Sequence, residues 1–364
     1  MAGVVAHVLV VHAAYASGLN LDAKVCSGMR IRNIHHRVWV GNACPPVQDL
    51  VSLVAAALLL KPDEINYVAT HSFWATAGCT DVAQCHHAFN VGHRTLNVAD
   101  EADAFAAATT HFQLRKKMTQ KQCTTSERKC FRKEHMSDFM RLFVVNEQGG
   151  YYLDADSFVV DAQLHARYAT CPFVMFSDFS NSGGATNGEQ TAKFGHVNNG
   201  MFMGRPNSTF GAAWWRYFAH WDGSLWSDHS CGWPGRRARM HPDEVHVAPV
   251  MLVPSPFAPT SATQKGKRNV DPRRKLLTPI DVDGAAAGGA SLVHLTNWKV
   301  RPTNVTRPVL LNVLDRAVEA HGGIPGLPRA KRNCVTKLRS QLLRSSEQAS
   351  KHYHTTQHGV RGPH

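Results

Sequence analysis

The sequence lacks the glycine fingerprints of the common nucleotide folds. No G-x-G-x-x-G follows its first strand-like run, which argues against a dinucleotide dehydrogenase, and no G-x-x-x-x-G-K-[ST] occurs, which argues against a P-loop kinase. None of its nine cysteines, at 26, 44, 79, 85, 123, 130, 171, 231 and 334, forms the C-x2-C pair of a zinc framework. Acidic residues are scarce, with 27 Asp+Glu against 40 Lys+Arg and a net charge of +13. The excess lies in patches, at Arg115-Lys116-Lys117, 265–275 and 329–344, and no zinc-finger, RNA-recognition or helix-turn-helix signature accompanies them. They read as solvated loops and tail, with no nucleic-acid partner. Long apolar runs are also few. Residues 2–19, AGVVAHVLVVHAAYASGL, fall short of the roughly 20 apolar residues of a membrane span. With Ala14-Tyr15-Ala16 resembling a peptidase site, 1–20 is expected to be an apolar leader, either a signal peptide or a signal-anchor.

What is present is ample for a buried core: 43% apolar residues and 9% aromatics in 364 residues. The scattered cysteines suit disulfides in an oxidising lumen. Cys79/Cys85 and Cys123/Cys130 lie close enough for local loop staples, connectivity is open, and the odd count leaves a thiol over. Sequons at Asn207-Ser208-Thr209 and Asn304-Val305-Thr306 fit the same compartment, so the expected location is the secretory pathway, in the Golgi lumen, membrane-anchored or secreted.

The chain is organised around SDFMRLFVVNEQGGYYLDAD, from Ser137 to Asp156. Phe139, Leu142, Phe143 and Asn146 have helical spacing, Ser137 stands as an N-cap, and Gly149-Gly150 stops the helix. Tyr151 to Val160 then reads as a strand. Two residues apart on a strand, Asp154 and Asp156 would share a face, and paired carboxylates there favour a hard divalent cation such as Mn²⁺ or Mg²⁺. Asp281-Val282-Asp283 is a second D-x-D without such a setting and reads as a solvated turn.

This stretch resembles the signature S-D-x-x-R-x-x-x-L-x-x-x-G-G-x-Y-x-D-x-D of the glycosyltransferase family named for its D-x-D sugar-binding region, which includes fungal initiating α-1,6-mannosyltransferases and animal α-1,4-galactosyltransferases. Ser137, Asp138, Arg141, Gly149, Gly150, Tyr152, Asp154 and Asp156 match, and Val145 replaces the leucine. The family's opening I-P-K-x-I-H-Q-x-W-x-G is similar to the segment from Ile31, where Ile31, His36, Trp39 and Gly41 agree and Arg32, Asn33, His35 and Arg37 depart. The resemblance implies an α/β fold of the nucleotide-diphospho-sugar transferase (GT-A) type, a single Rossmann-like domain with a mixed sheet over 31–300. It also implies a metal-dependent retaining hexosyltransferase that uses a UDP- or GDP-sugar and a glycan, glycolipid or protein acceptor. Metal would be held by Asp154, Asp156 and His294, which precedes Trp298 as a histidine precedes a tryptophan in relatives. Donor contacts would come from Trp39, Asp138, Arg141, Gly150, Tyr152, Asp154 and Asn199. Trp39 has a core reading beside this one, Asn199-Gly200 a plain turn, and His294 an ordinary strand histidine. No nucleophile is assigned.

The rest of the chain is read from its local patterns. Val47 to Leu60 is an apolar helix ended by Pro62, Ile65 to Thr70 a strand, Cys79 to His93 a loop holding a disulfide, and Glu101 to Phe112 a helix. Cys171 to Ser177 is a buried strand, Asn181 to Gly188 a glycine-rich loop, and Asn198 onward a strand. Ser208 caps a helix through Phe218, Val245 to Pro259 is a late strand, and Gly284 to Ser291 a flexible stretch. The basic, histidine-dotted 323–364 is expected to be disordered. Two rival functions are a non-catalytic sugar-nucleotide or carbohydrate-binding module on the same fold, and a hydrolase. Two acids on one strand face do not flank a glycosidic bond, which disfavours the hydrolase.

Overall fold

Val47–Leu60 is apolar nearly all round, and twelve of its fourteen residues are buried, so it forms the central helix α1. Lys61 closes it in the left-handed conformation (φ 45°) ahead of Pro62. The computed structural model describes residues 26, 28–41, 43–75, 77–96, 133–180, 197–218, 228–253, 292–295 and 306–357. Strand β1 (Ile34–Trp39) precedes α1. After it come β2 (Glu64–Ala69), α2 (Thr80–Ala88), β3 (Val91–Thr95), α3 (Lys133–Gln148), β4 (Gly150–Leu153), β5 (Ser157–Val159) and α4 (Leu164–Tyr168). The remainder is β6 (Phe173–Ser180), β7 (Asn198–Gly204), α5 (Thr209–Phe218), α6 (Trp233–Met240), β8 (His246–Val253), β9 (Leu292–Leu295), α7 (Thr306–Glu319) and α8 (Arg329–Gln357).

The strands form one mixed nine-stranded sheet in the order β3-β2-β1-β4-β7-β6-β8-β9-β5. β3, β2, β1 and β4 run parallel. β7 is antiparallel to both β4 and β6, while β6, β8 and β9 are mutually parallel and β5 closes the sheet antiparallel to β9. One face packs on α1, α7 and α8 through Leu53, Val54, Leu310, Leu314 and Leu338. The other packs on α3 and α5 through Phe139, Val144, Phe210, Trp214 and Phe218. The parallel strands carry their carboxyl ends to one edge, where open α/β sheets bind ligands.

Four expectations are corrected here. Helix α3 starts at Lys133, four residues ahead of Ser137, because nothing in Lys133-Glu134-His135-Met136 resists a helix; Ser137 is interior and caps nothing. The strand expected through Val160 breaks at Asp154, Ala155 and Asp156, where Ser157 N–H donates to the Asp154 carbonyl at 3.0 Å. The two acids therefore sit in a corner instead of on one strand face, because β4 pairs with β1 and β7 whereas β5 pairs with β9. Cys79 and Cys85 do not pair with each other. The bridges are Cys26–Cys171, Cys44–Cys79 and Cys85–Cys334, because 80–95 is helix and strand, which carries the two sulfurs apart. Finally, 329–357 is helical, and Cys334, Val335, Leu338 and Leu342 give it a buried stripe at helical spacing.

Other readings hold. Ser208 Oγ accepts from Gly211 N–H at 3.1 Å ahead of α5, and β2, β6, β7 and β8 lie where the strand patterns fall. The leader 1–20, the 101–112 helix, Cys123/Cys130, the 181–188 loop, Asp281 to Ser291 and Trp298 lie outside the described residues. Among the described residues no helix is long and apolar enough to cross a membrane.

Candidate donor site at the D-x-D corner

Helix α3 delivers the chain to β4 through a turn that only glycine fits. Gly149 and Gly150 have φ of +71° and +100°, and a Cβ on Gly150 would stand 2.4 Å from the Ile34 carbonyl oxygen. β4 then runs between β1 and β7 and ends at Leu153, which puts Asp154 on the carboxyl edge of the parallel strands. Asp154 N–H is held by the Gly200 carbonyl at 2.7 Å.

Arg141, 6% exposed, is the hub. Its Nη1 donates to Asp154 Oδ2 at 3.1 Å and to the Asn199 carbonyl at 3.0 Å. Nε donates to the Ser137 carbonyl at 3.2 Å and Nη2 to Ser137 Oγ at 2.9 Å, with Asp138 Oδ1 3.4 Å from Nη2. Its guanidinium carbon lies 4.7 Å from the centre of the Tyr152 ring. Burial works against its charge, and the carboxylates of Asp154 and Asp138 more than offset that, so its pKa is raised and it stays a cation. Asn199 Nδ2 donates to Asp138 Oδ1 at 2.7 Å. Burial pushes the Tyr152 hydroxyl well up, so it remains protonated and donates to Asp154 Oδ1.

The structure thus brings Asp138, Arg141, Tyr152, Asp154 and Asn199 together, with Gly150 shaping the approach. Trp39 ends β1 on the same edge but on the α1 side, half-buried, with its Nε1 donating to the Ala43 carbonyl at 2.8 Å. Asp156 is 9% exposed. The sheet register pairs His294 with Ser157, so its backbone lies one residue from Asp156 along β5. Among the described residues no three His, Cys, Asp or Glu side chains converge as a ready metal cage.

Sequence reasoning missed Ser137 as an acceptor for Arg141, Gly200 and Arg37. A Cβ on Gly200 would come within 2.7 Å of Asp154 Oδ2, so that glycine makes room for the carboxylate. The glycine after Asn199 was visible, but its neighbour across the sheet was not.

The chain was compared with known proteins. Residues 81–167 match the family profile described as "Glycosyltransferase sugar-binding region containing DXD motif". The chain is 30% identical over 113 residues to Glucan organizing enzyme 1 of Cryptococcus neoformans var. grubii, covering 31% of this chain and 29% of that protein. It thus spans under a third of the length of the curated relative it matches. Among solved structures, galactosyltransferase LgtC, crystallised with donor and acceptor sugar analogs, is 13% identical over 78% of this chain and 94% of its own, with a TM-score of 0.36. PaToxG glycosyltransferase is 9% identical over 65% of this chain and 80% of its own, with a TM-score of 0.36.

The fold is α/β with a mixed sheet: a parallel β3-β2-β1-β4 half, antiparallel β7 beside it, and a D-x-D corner at the carboxyl end of β4. The 81–167 profile match includes this corner, from α3 through β5.

Proposed function

We propose that this chain is a metal-dependent retaining glycosyltransferase that moves a hexose from a UDP- or GDP-sugar to a hydroxyl of a glycan, lipid or protein acceptor, with 31–300 as its catalytic domain. The observation that carries the reading is the convergence of Asp138, Arg141, Asp154 and Asn199 at the edge where α/β sheets bind ligands. Hard oxygen donors at the corner fit Mn²⁺ or Mg²⁺. Asp154 already engages Tyr152 and Arg141, so Asp156 is the principal protein ligand, with His294 paired to the next residue, Ser157, and the diphosphate of the donor filling the shell. The cation, when bound, neutralises charge that develops on the departing diphosphate.

The chain's own residues then position the donor. Arg141 stays cationic and fixes the direction of the Asp154 carboxylate, which keeps that acid set for sugar or ribose hydroxyls. Asp138 is aimed by Asn199 and takes a sugar hydroxyl from the same side. Trp39 offers an indole at the carboxyl end of β1 for the base. The three disulfides among the described residues support an oxidising, secretory-pathway location, with any membrane association through the N-terminus.

The deciding experiment is a screen of hydrolysis and transfer across UDP- and GDP-sugars with and without Mn²⁺. Wild type is expected to turn over at least one donor only with metal. Asp156→Ala is expected to lose turnover and metal dependence with a thermal midpoint near that of wild type. Donor binding without turnover would favour the non-catalytic module, and unaltered activity in Asp156→Ala would remove the metal assignment.

A further inference from the structure

Behind the corner, on the face away from Arg141, lies a second buried cation. Arg37 is 1% exposed, in the middle of β1. Its Nη1 donates to the Leu153 carbonyl at 3.2 Å and the Asp154 carbonyl at 2.9 Å, and lies 3.3 Å from Asp49 Oδ1 on α1. Tyr67 Oη on β2 donates to Asp49 Oδ2 at 2.7 Å. One turn along α1 from Asp49, Ser52 Oγ donates to the Ser157 carbonyl. Three successive anchor points of the D-x-D turn, the carbonyls of residues 153, 154 and 157, are therefore tied to β1 and α1 from beneath.

This arrangement is not what stability alone would select. Arg37 Nε and Nη2 are buried with no hydrogen-bond partner among the described residues. Buried ion pairs are commonly matched or exceeded in stability by apolar residues of similar volume, and an unsatisfied buried N–H is unfavourable. An apolar residue at 37 would suit β1, yet would remove the side-chain donor that ties the two corner carbonyls to β1, leaving the Asp154 carbonyl only its local bond from Ser157 N–H. We propose that Arg37 is a positioning residue that fixes the backbone of the D-x-D corner, and so the aim of Asp154 and Asp156 toward the metal-diphosphate group. This rests on the functional reading above, and it adds to it a determinant on the opposite face of the sheet from the donor contacts.

The test separates holding the corner from holding the fold. The paired substitution Arg37→Met with Asp49→Leu removes both charges together, so no lone buried ion is left, but it also removes the carbonyl donor. In the full chain, the double variant is expected to fold, with its unfolding midpoint lowered because Tyr67 Oη also loses its acceptor. Its Asp154 and Ser157 amides, which close the corner onto Gly200 and Asp154, are expected to exchange with deuterium at least tenfold faster. Affinity for Mn²⁺ with UDP or GDP, whichever wild type binds, is expected to fall at least tenfold. A folded double variant with wild-type exchange and wild-type nucleotide affinity overturns the proposal. Should that variant not fold, Arg37→Lys decides: faster exchange confined to those two amides supports the role, and unchanged or uniformly faster exchange overturns it. If wild type binds neither nucleotide with Mn²⁺, the functional reading fails while the exchange measurement still judges Arg37.

Discussion

Arg141→Lys keeps the charge and removes the fork, and the structure says what that removes. Arginine at this position makes four hydrogen bonds in three directions, to Asp154 Oδ2, the Asn199 carbonyl, the Ser137 carbonyl and Ser137 Oγ. A lysine ammonium has its donors at one point on a flexible stem, so it can reach the Asp154 and Asn199 side or the Ser137 side, but not both. Losing two of the four, one of them to a carboxylate, costs about 2–4 kcal/mol at roughly 1–2 kcal/mol for each bond left unmade in a buried site. For a domain of this size that lowers the unfolding midpoint by about 3–7 °C. Sequence alone predicts an unchanged midpoint, which holds for an exposed arginine; at 6% exposure the residue carries fold and site together. The assay is differential scanning calorimetry beside titration of Mn²⁺ with UDP or GDP. Both the midpoint and the affinity are expected to fall, affinity by at least tenfold, because Asp154 loses its fixed partner. A variant with wild-type midpoint and wild-type kinetics on every accepted donor would refute the role of Arg141 as hub.

Gly200→Ala puts a methyl 2.7 Å from Asp154 Oδ2 and 2.9 Å from Asn198 Oδ1, so about 1–3 kcal/mol of overpacking and a displaced carboxylate are expected, read as weaker metal-nucleotide binding. Cys334→Ser opens the bridge that ties α8 to α2 across 249 residues, and a loss of about 2–5 kcal/mol in denaturant unfolding is expected, the lower end if the other two bridges already restrain the unfolded chain. Burial lowers the pKa of His36 to about 4, and burial with His93 lowers that of His86 to about 3, so both are neutral when folded and protonate near 6.5 when unfolded. The unfolded chain therefore binds more protons below pH 6.5, and stability is expected to be full above that pH and to decline as pH falls toward 4, by about 2 kcal/mol from His36 alone at pH 5. Urea midpoints that do not change between pH 7.5 and 5 would contradict this.

The sequence by itself determined what depends on neighbours along the chain. Helix α1 follows from fourteen nearly all apolar residues closed by Lys61-Pro62, and the α3-to-β4 reversal from Gly149-Gly150, whose positive φ no other residue adopts as easily. The spacing from Ser137 to Asp156 named most of the residues that the corner gathers, because the corner is built mostly from one continuous helix, turn and strand. Tertiary structure alone decided the rest. Cys79 and Cys85 are six apart, but the partners they find, Cys44 and Cys334, depend on which elements pack together. The break between β4 and β5 arises because the two strands have different sheet neighbours, which no local alternation encodes. The buried stripe of α8 gains its meaning only when α7 and α2 cover it, and in isolation its basic residues read as a solvated tail. Arg37 looked like a departure from a motif, since a charge in an apolar strand reveals its use only when Asp49 and the carbonyls of Leu153 and Asp154 surround it. Backbone propensity acts within a few residues, whereas a buried charge, a disulfide or a corner is fixed by groups far apart in sequence that folding brings within 3–4 Å of one another.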